Sequence, residues 1–355
     1  MTTQIPASID LPYAFGGPTG TGRLRTVPED FIVRELPICE PDGAGEHVWL
    51  WVRKCSANTE WVARQLARFA GVTPRDVSYA GLKDRHAITE QWFSIQLPGK
   101  ADPDWAAAQI EGVEIIRVAR HSRKLKRGAL RGNAFELRIR ALSGARVAVD
   151  ERLHAIATRG MPNYFGEQRF GRDGGNLAAA AAMLRGEGPR LDRHIRSLYL
   201  SAARSFLFNT VLAARVRDGS WEQAMPGDAL QLDGRRAWFI ADADDKDIET
   251  RMRALDVHPT GPLWGRGTLE SQAAARSLEE TCLAPFADWC AGLERAGLEQ
   301  DRRALRVRVG DLAWDWQADD SLLLRFALPS GSYATAVLRE LIETDSEAAA
   351  LEESV

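Results

Sequence analysis

The sequence predicts an α+β protein with strands towards both ends of the chain and helices between them. Three observations predict it. Short runs rich in β-branched, aromatic and other apolar residues recur in Phe31–Leu36, His47–Lys54 and Ala134–Arg140, the last alternating strictly between apolar and polar as a half-buried strand does. From Gly160 onward helical spacing dominates, and from Leu305 the alternation returns (Val307, Val309; Trp314, Trp316; Leu322, Leu324, Phe326). The last strands are therefore expected to rejoin the sheet of the first region.

At 355 residues the chain can bury a large core, either as two domains or as one domain carrying a long insertion. Residues 14–22, A-F-G-G-P-T-G-T-G, are too rich in Gly and Pro for a regular element, and no Gly-Lys-Ser/Thr follows to make a P-loop. Pro28-Glu29-Asp30 marks a turn before the first strand. The second strand puts Val48, Leu50 and Val52 on one face and Trp49 and Trp51 on the other. A helix capped at Asn58 or Thr59 then places Val62, Leu66, Phe69 and Ala70 on one face and stops at Gly71. A short helix at Trp105–Ile110 and a strand at Val113–Ala119 lead to the strand whose Phe135, Leu137 and Ile139 oppose Glu136, Arg138 and Arg140.

The helix Arg146–Arg159 ends at Gly160-Met-Pro, where the character of the chain changes. Residues 163–175 form a loop dense in Gly, aromatics and Arg. Helices follow at Leu177–Arg185 and around Ser201–Thr210, then a strand pair, Ala229–Leu232 and Ala237–Ile240, joined through Asp233-Gly234. Pro259–Gly267 reads as turn-rich. Leu269–Ala296 reads as helix broken near Pro285 and stopped by Gly297, and a closing helix runs to Ile342. No internal repeat is visible.

The formal net charge is −3, which argues superficially against a nucleic-acid partner. The charge is segregated, however. Nine Lys/Arg and one acid, Glu136, lie between Arg117 and Arg140, while Glu340, Glu343, Asp345, Glu347, Glu352 and Glu353 gather at the C-terminus as an expected solvated, disordered tail. The four cysteines contain no C-x-x-C and suggest reduced, mostly buried thiols rather than disulfides or a zinc site. The N-terminus lacks the pattern of a signal peptide, and no apolar run is long enough for a membrane span, so a cytoplasmic location is expected.

Val77–Phe93 carries the chemistry of most interest. Its polar cluster Lys83-Asp84-Arg85-His86 lies between two apolar strand patterns. A carboxylate held ionised by neighbouring cations can act as a nucleophile or base. From spacing alone, a solvated turn whose Asp satisfies backbone donors fits at least as well.

Five motifs extend the reading. Ala80-Gly-Leu-Lys-Asp-Arg-His-Ala87 with Thr89-Glu-Gln-Trp-Phe93, Arg131-Gly-Asn-Ala-Phe135, Pro162-Asn-Tyr-Phe-Gly166 with Gln168-Arg-Phe-Gly171, Leu200-Ser-Ala-Ala-Arg-Ser205, and Gly331-Ser-Tyr-Ala-Thr335 occur in this order. Together they closely resemble the TruD family of tRNA pseudouridine synthases, over nearly the whole chain from about Gly20 to Leu341. The resemblance implies isomerisation of uridine to pseudouridine, at uridine-13 in the D arm of tRNA, without cofactor or metal. It also implies a catalytic domain with a curved, mixed and mostly antiparallel sheet, at residues 1–159 plus 309–355, interrupted by an inserted α+β TruD domain at 160–308. Neither a membrane association nor an obligate protein partner is expected.

By the same resemblance, Asp84 is the catalytic aspartate, attacking either the sugar C1′ or the base, and Arg25 is its basic partner where relatives often carry Lys. Phe31, Phe135 and Tyr333 match pocket positions, with Phe135 stacking on the flipped-out uracil. Asn133 supplies amide hydrogen bonds, and Gly160 matches a substrate-contact position. Tyr333 departs from a frequent Phe, and its added hydroxyl needs a partner if buried. His86 is read as an RNA contact or a solvated residue rather than a general base. Arg123, Lys124, Lys126, Arg127 and Arg131 become an RNA-binding surface, with Arg169, Arg172 and Arg204 as additions from the insertion. Two other classes compete: a catalytically silent tRNA-binding or RNA-remodelling protein on the same scaffold, and a carboxylate-using hydrolase of small substrates. The basic run counts against the second.

Overall fold

The alternating segments at the two ends of the chain fold into one eight-stranded sheet. Its strands are β1 (Phe31–Pro37), β2 (His47–Cys55), β3 (Val77–Tyr79), β4 (Ile88–Gln96), β5 (Val113–His121), β6 (Leu130–Ile139), β7 (Gly310–Trp316) and β8 (Leu322–Pro329). They lie in the order β7-β8-β6-β1-β4-β2-β5, with β3 paired to β4 off this path. Only β1 and β4 pair in parallel, so the sheet is mixed and mostly antiparallel. The computed structural model describes residues 11–187, 191–242 and 245–344. They divide into two compact units: residues 20–144, 310–331 and 343–344, which hold this sheet, and residues 11–19, 145–309 and 332–342.

In the sheet unit, alternation decides which side chains meet. Val48, Leu50 and Val52 of β2 bury against Val62, Ala63 and Leu66 of helix α1 (Thr59–Phe69), while Trp49 packs on the opposite side with Trp92 and Leu125. Asn58 caps α1 by accepting a hydrogen bond from the Glu60 N–H at 2.8 Å. The helix expected at Trp105–Ile110 is a single 3₁₀ turn, Trp105–Ala107. Gly132 opens the contact between β6 and β8, because a Cβ there would stand 2.0 Å from the Leu328 carbonyl oxygen.

The second unit is mainly helical: α2 (Arg146–Arg159), α3 (Gly175–Leu184), α4 (Arg193–Arg217), α5 (Ile248–Arg253), α6 (Ala273–Leu283), α7 (Ala287–Arg295) and α8 (Ala334–Leu341). α2 ends where its sequence predicts, with Gly160 at φ 75°, but it groups with the helical unit rather than with the sheet. α4 is the long helix expected around Ser201–Thr210, and its buried Phe206, Leu207, Phe208 and Leu212 centre the core of this unit. The break near Pro285 separates α6 from α7.

Pro259–Gly267 is not simply turn. Val257–Leu263 is an inner strand of a four-stranded sheet, between Ala229–Leu232 and Asp301–Ala304. Its first half pairs only with the former and its second half only with the latter, so each residue makes ladder bonds on one side, as in an edge strand that tolerates proline. Glu340 also departs from expectation. It is fully buried and accepts a hydrogen bond from the Ala14 N–H at 3.1 Å, so it is no part of a solvated tail; the residues from Asp345 onward lie outside the described residues. Among the described residues no helix is long and apolar enough to cross a membrane.

Candidate active site

Asp84 sits on the turn between β3 and β4. Its Oδ1 accepts the His86 N–H at 2.8 Å, and its Oδ2 lies 2.7 Å from Arg25 Nη2. The Arg25 side chain is 8% exposed and that of Asp84 22%, so the cation is shielded while the carboxylate remains reachable. Arg25 adopts φ 57°, in the left-handed region that few non-glycine residues visit, and its guanidinium covers the Phe31 ring at 4.1 Å.

Phe31 starts β1 and meets Phe135 of β6 edge to face at 6.5 Å; Phe135 in turn stacks on Phe326 of β8 at 5.2 Å. Asn133, two residues before Phe135 on the same face of β6, has a buried Oδ1 with no hydrogen-bond partner among the described residues. A buried orphan acceptor is what a site leaves for a ligand donor. The sheet unit thus brings together Asp84, Arg25, Phe31, Asn133 and Phe135, which come from four segments of the sequence.

Lys83 turns inward and pairs with Glu35 Oε2 at 3.0 Å, both side chains nearly fully buried. Burial raises the Glu35 carboxyl above its usual value, against the pull of Lys83. Lys54 is fully buried beneath the same turn. Sequence reasoning missed Glu35 and Lys54, although Glu35 is in phase with Phe31 and Val33, and Lys54 with Val48, Leu50 and Val52. His86 is half-buried, and its Nε2 is buried without a hydrogen bond among the described residues, which does not fit a solvated ring.

Of the basic run, Arg123, Lys124, Lys126 and Arg127 lie on the loop between β5 and β6 and Arg131 near the start of β6, and this loop is fastened to the start of the Asp84 turn. Gly128 N–H donates to the Ala80 carbonyl at 2.7 Å, and Leu125 is buried beside Ala80, Trp49 and Trp92. Arg123, Lys124, Lys126, Arg127 and Arg131 are all exposed. The Trp49 indole donates to the Arg123 carbonyl, Lys124 Nζ to the Arg75 carbonyl, and Arg131 Nε to the Pro37 carbonyl, while Arg127 lies 3.7 Å over the Tyr79 ring. Other members of the run are engaged within the protein: Arg117 with Glu40, Arg120 with Asp102, and Arg140 with the buried Asp30.

Gly160 and Tyr333 belong to the helical unit. A Cβ on Gly160 would stand 2.6 Å from the Val307 carbonyl oxygen, so packing within the protein already requires glycine there. The Tyr333 hydroxyl accepts from Arg169 Nη2 at 2.8 Å, and Arg169 Nη1 donates to Ser201 Oγ at 3.0 Å. The Phe165 ring faces Tyr333 edge to face at 6.4 Å and carries the Arg303 guanidinium at 4.1 Å. Arg303 also donates to Asn163 Oδ1 at 2.6 Å, and burial pushes it down to about 10. The motifs around 163–171, 200–205 and 332–335 therefore converge in one cluster. Within it Arg169 is engaged by the protein, and Arg204 donates to the Leu263 carbonyl, so neither stands out as an RNA contact; the Arg172 side chain lies outside the described residues.

The sequence matches the family described as tRNA pseudouridine synthase D (TruD) over residues 11–189 and 175–341. It is 52% identical over 344 residues to the tRNA pseudouridine synthase D of Methylococcus capsulatus, covering 97% of each chain. It is also 52% identical over 336 residues to that of Nitrosococcus oceani, covering 93% of this chain and 94% of the relative. The TruD crystal structure from Methanosarcina mazei superposes with a TM-score of 0.73 at 20% identity, covering 94% of this chain and 98% of that one, a likeness of fold. The chain belongs to the TruD family of tRNA pseudouridine synthases.

Proposed function

We propose that this enzyme isomerises uridine-13 in the D arm of tRNA, with Asp84 as the nucleophile. The observation that carries the proposal is the 2.7 Å contact between Arg25 and a carboxylate that stays partly exposed. The guanidinium orients the carboxylate and leaves it open to a reacting carbon. The flipped-out nucleotide packs against Phe31 and Phe135, and Asn133 bonds to a polar edge of uracil or to the backbone; Tyr333 is assigned a substrate contact by its motif alone. Gly160 lets the substrate approach the main chain closely.

Attack at C1′ and attack at the base use the same carboxylate and reach the same product. The C1′–N1 bond breaks, the uracil rotates, and C1′ bonds to C5. N1 ends with a proton, C5 loses one, and Asp84 is released unchanged, so no cofactor is consumed.

Arg123, Lys124, Lys126, Arg127 and Arg131 hold tRNA phosphates beside the Asp84 turn, and the enzyme acts in the cytoplasm with its tRNA substrate. We assign residues 1–159 and 309–355 to the catalytic domain and 160–308 to the insertion; in support, strands from both flanks of that stretch share one sheet. The test is nucleotide-resolved mapping of pseudouridine in tRNA transcripts treated with the protein. Modification at position 13, lost when that uridine is replaced by cytidine, is expected. Binding of tRNA with no pseudouridine formed would instead favour a silent tRNA-binding protein.

A further inference from the structure

We infer that Lys54 is a positioning residue, which aims the Asp84 carboxylate by clamping the main chain of its turn from beneath; the inference rests on the assignment of Asp84 as nucleophile. Lys54 occupies the inward phase of β2, after Val48, Leu50 and Val52, and its side chain is fully buried. Its Nζ donates to the Asp84 carbonyl oxygen at 2.6 Å and reaches the Lys83 carbonyl at 3.4 Å.

Three other elements hold the same turn. Thr59 Oγ1 of α1 accepts the Lys83 N–H at 3.0 Å, Gln91 Nε2 of β4 donates to the Gly81 carbonyl at 3.0 Å, and Glu35 of β1 holds the Lys83 ammonium. Lys54 bonds the nucleophile residue through its main chain, leaving the carboxylate to Arg25, the His86 N–H and the substrate. An ammonium buried on carbonyl acceptors is costly to maintain, and a methionine would fill the same space more cheaply. Its value therefore lies in where it puts residue 84, because misplacement of a reacting group by about 1 Å can slow a reaction about a hundredfold.

Burial pushes the Lys54 ammonium down to about 8; the Asp84 charge opposes this, Lys83 adds to it, and Cys55 on the same strand opposes it. Thr59 of α1, which shares the Lys83 carbonyl with Lys54, and Gln91 of β4, hydrogen-bonded to Thr59, are neutral. Loss of the Lys54 proton removes one donor and the charge from beneath the turn.

The test is single-turnover pseudouridine formation by Lys54→Met with tRNA across neutral to alkaline pH. The expected result is a rate about 30- to 100-fold below wild type with unchanged tRNA affinity. The wild-type rate should fall as pH rises past about 8, a decline absent from the variant. Thr59→Val, which removes the neighbouring hold on Lys83 without touching a buried charge, should show a smaller loss of the same kind and serves if Lys54→Met does not fold. A Lys54→Met rate within about threefold of wild type, or an unchanged alkaline decline, would overturn the inference. So would a full-rate Thr59→Val together with no wild-type decline. In each case an inactive Asp84→Asn would leave the nucleophile assignment standing.

Discussion

One guanidinium joins the proposed nucleophile to the aromatic wall: Arg25 Nη2 lies 2.7 Å from Asp84 Oδ2, and the Arg25 head covers the Phe31 ring at 4.1 Å. Removing it takes away a fixed charge and one side of the site together. Arg25→Ala is expected to lower the single-turnover rate about a hundredfold. Arg25→Lys should recover part of this, since it keeps the charge and loses the planar stacking. A comparison of the three rates at saturating enzyme checks this.

Asn133 separates binding from stability. Its buried Oδ1 has no donor among the described residues, so Asn133→Ala removes no hydrogen bond at that atom. Its thermal midpoint should stay close to that of wild type, while kcat/KM falls about five- to tenfold, the worth of one hydrogen bond of about 1 kcal/mol. A large fall in midpoint would assign Asn133 to the fold instead.

The basic loop predicts a salt dependence. Each phosphate contact contributes a slope of about −0.7 to −0.9 to log affinity against log salt. Lys126→Ala, at an exposed position of the loop, should make the slope for tRNA binding shallower by about that amount and leave the modified position unchanged. Filter binding at several salt concentrations measures it.

A pH effect on stability is expected in the helical unit. His258 is buried; its Nε2 lies 2.9 Å from Asp233 Oδ1, and its Nδ1 accepts Arg306 Nε at 3.2 Å. Burial lowers its pKa below the ordinary value. Below about pH 6.5 the unfolded chain therefore binds more protons at this residue than the native state does. The contribution is fully present above that pH and is lost as pH falls through the native value. Urea unfolding should show stability declining on acidification from pH about 7 to 5, and a shallower decline in His258→Gln.

Much of the arrangement was legible because local and tertiary signals agree. Arg146–Arg159 ends at a glycine that the backbone uses at φ 75°, and the alternation around Phe135 puts it on the buried face. Alternation says only that Phe135 faces inward; its proposed part in a substrate pocket rests on the family motif. Other features were hidden by residue type. Lys54 and Glu35 occupy inward positions that a charged side chain disguises, and two prolines disguise Val257–Leu263, a strand that pairs on one side at a time. Glu340 reads as tail because its partners, Ala14 and Arg339, include one 326 residues away. Pairings at that separation have no local signature.

The central claim is that the Asp84 carboxylate performs the isomerisation. Asp84→Asn keeps the size and an acceptor for the His86 N–H while removing the charge that faces Arg25. The most direct measurement is single-turnover pseudouridine formation in tRNA by this variant, alongside its tRNA affinity. The account predicts retained binding and no detectable pseudouridine; formation at the wild-type rate would contradict it.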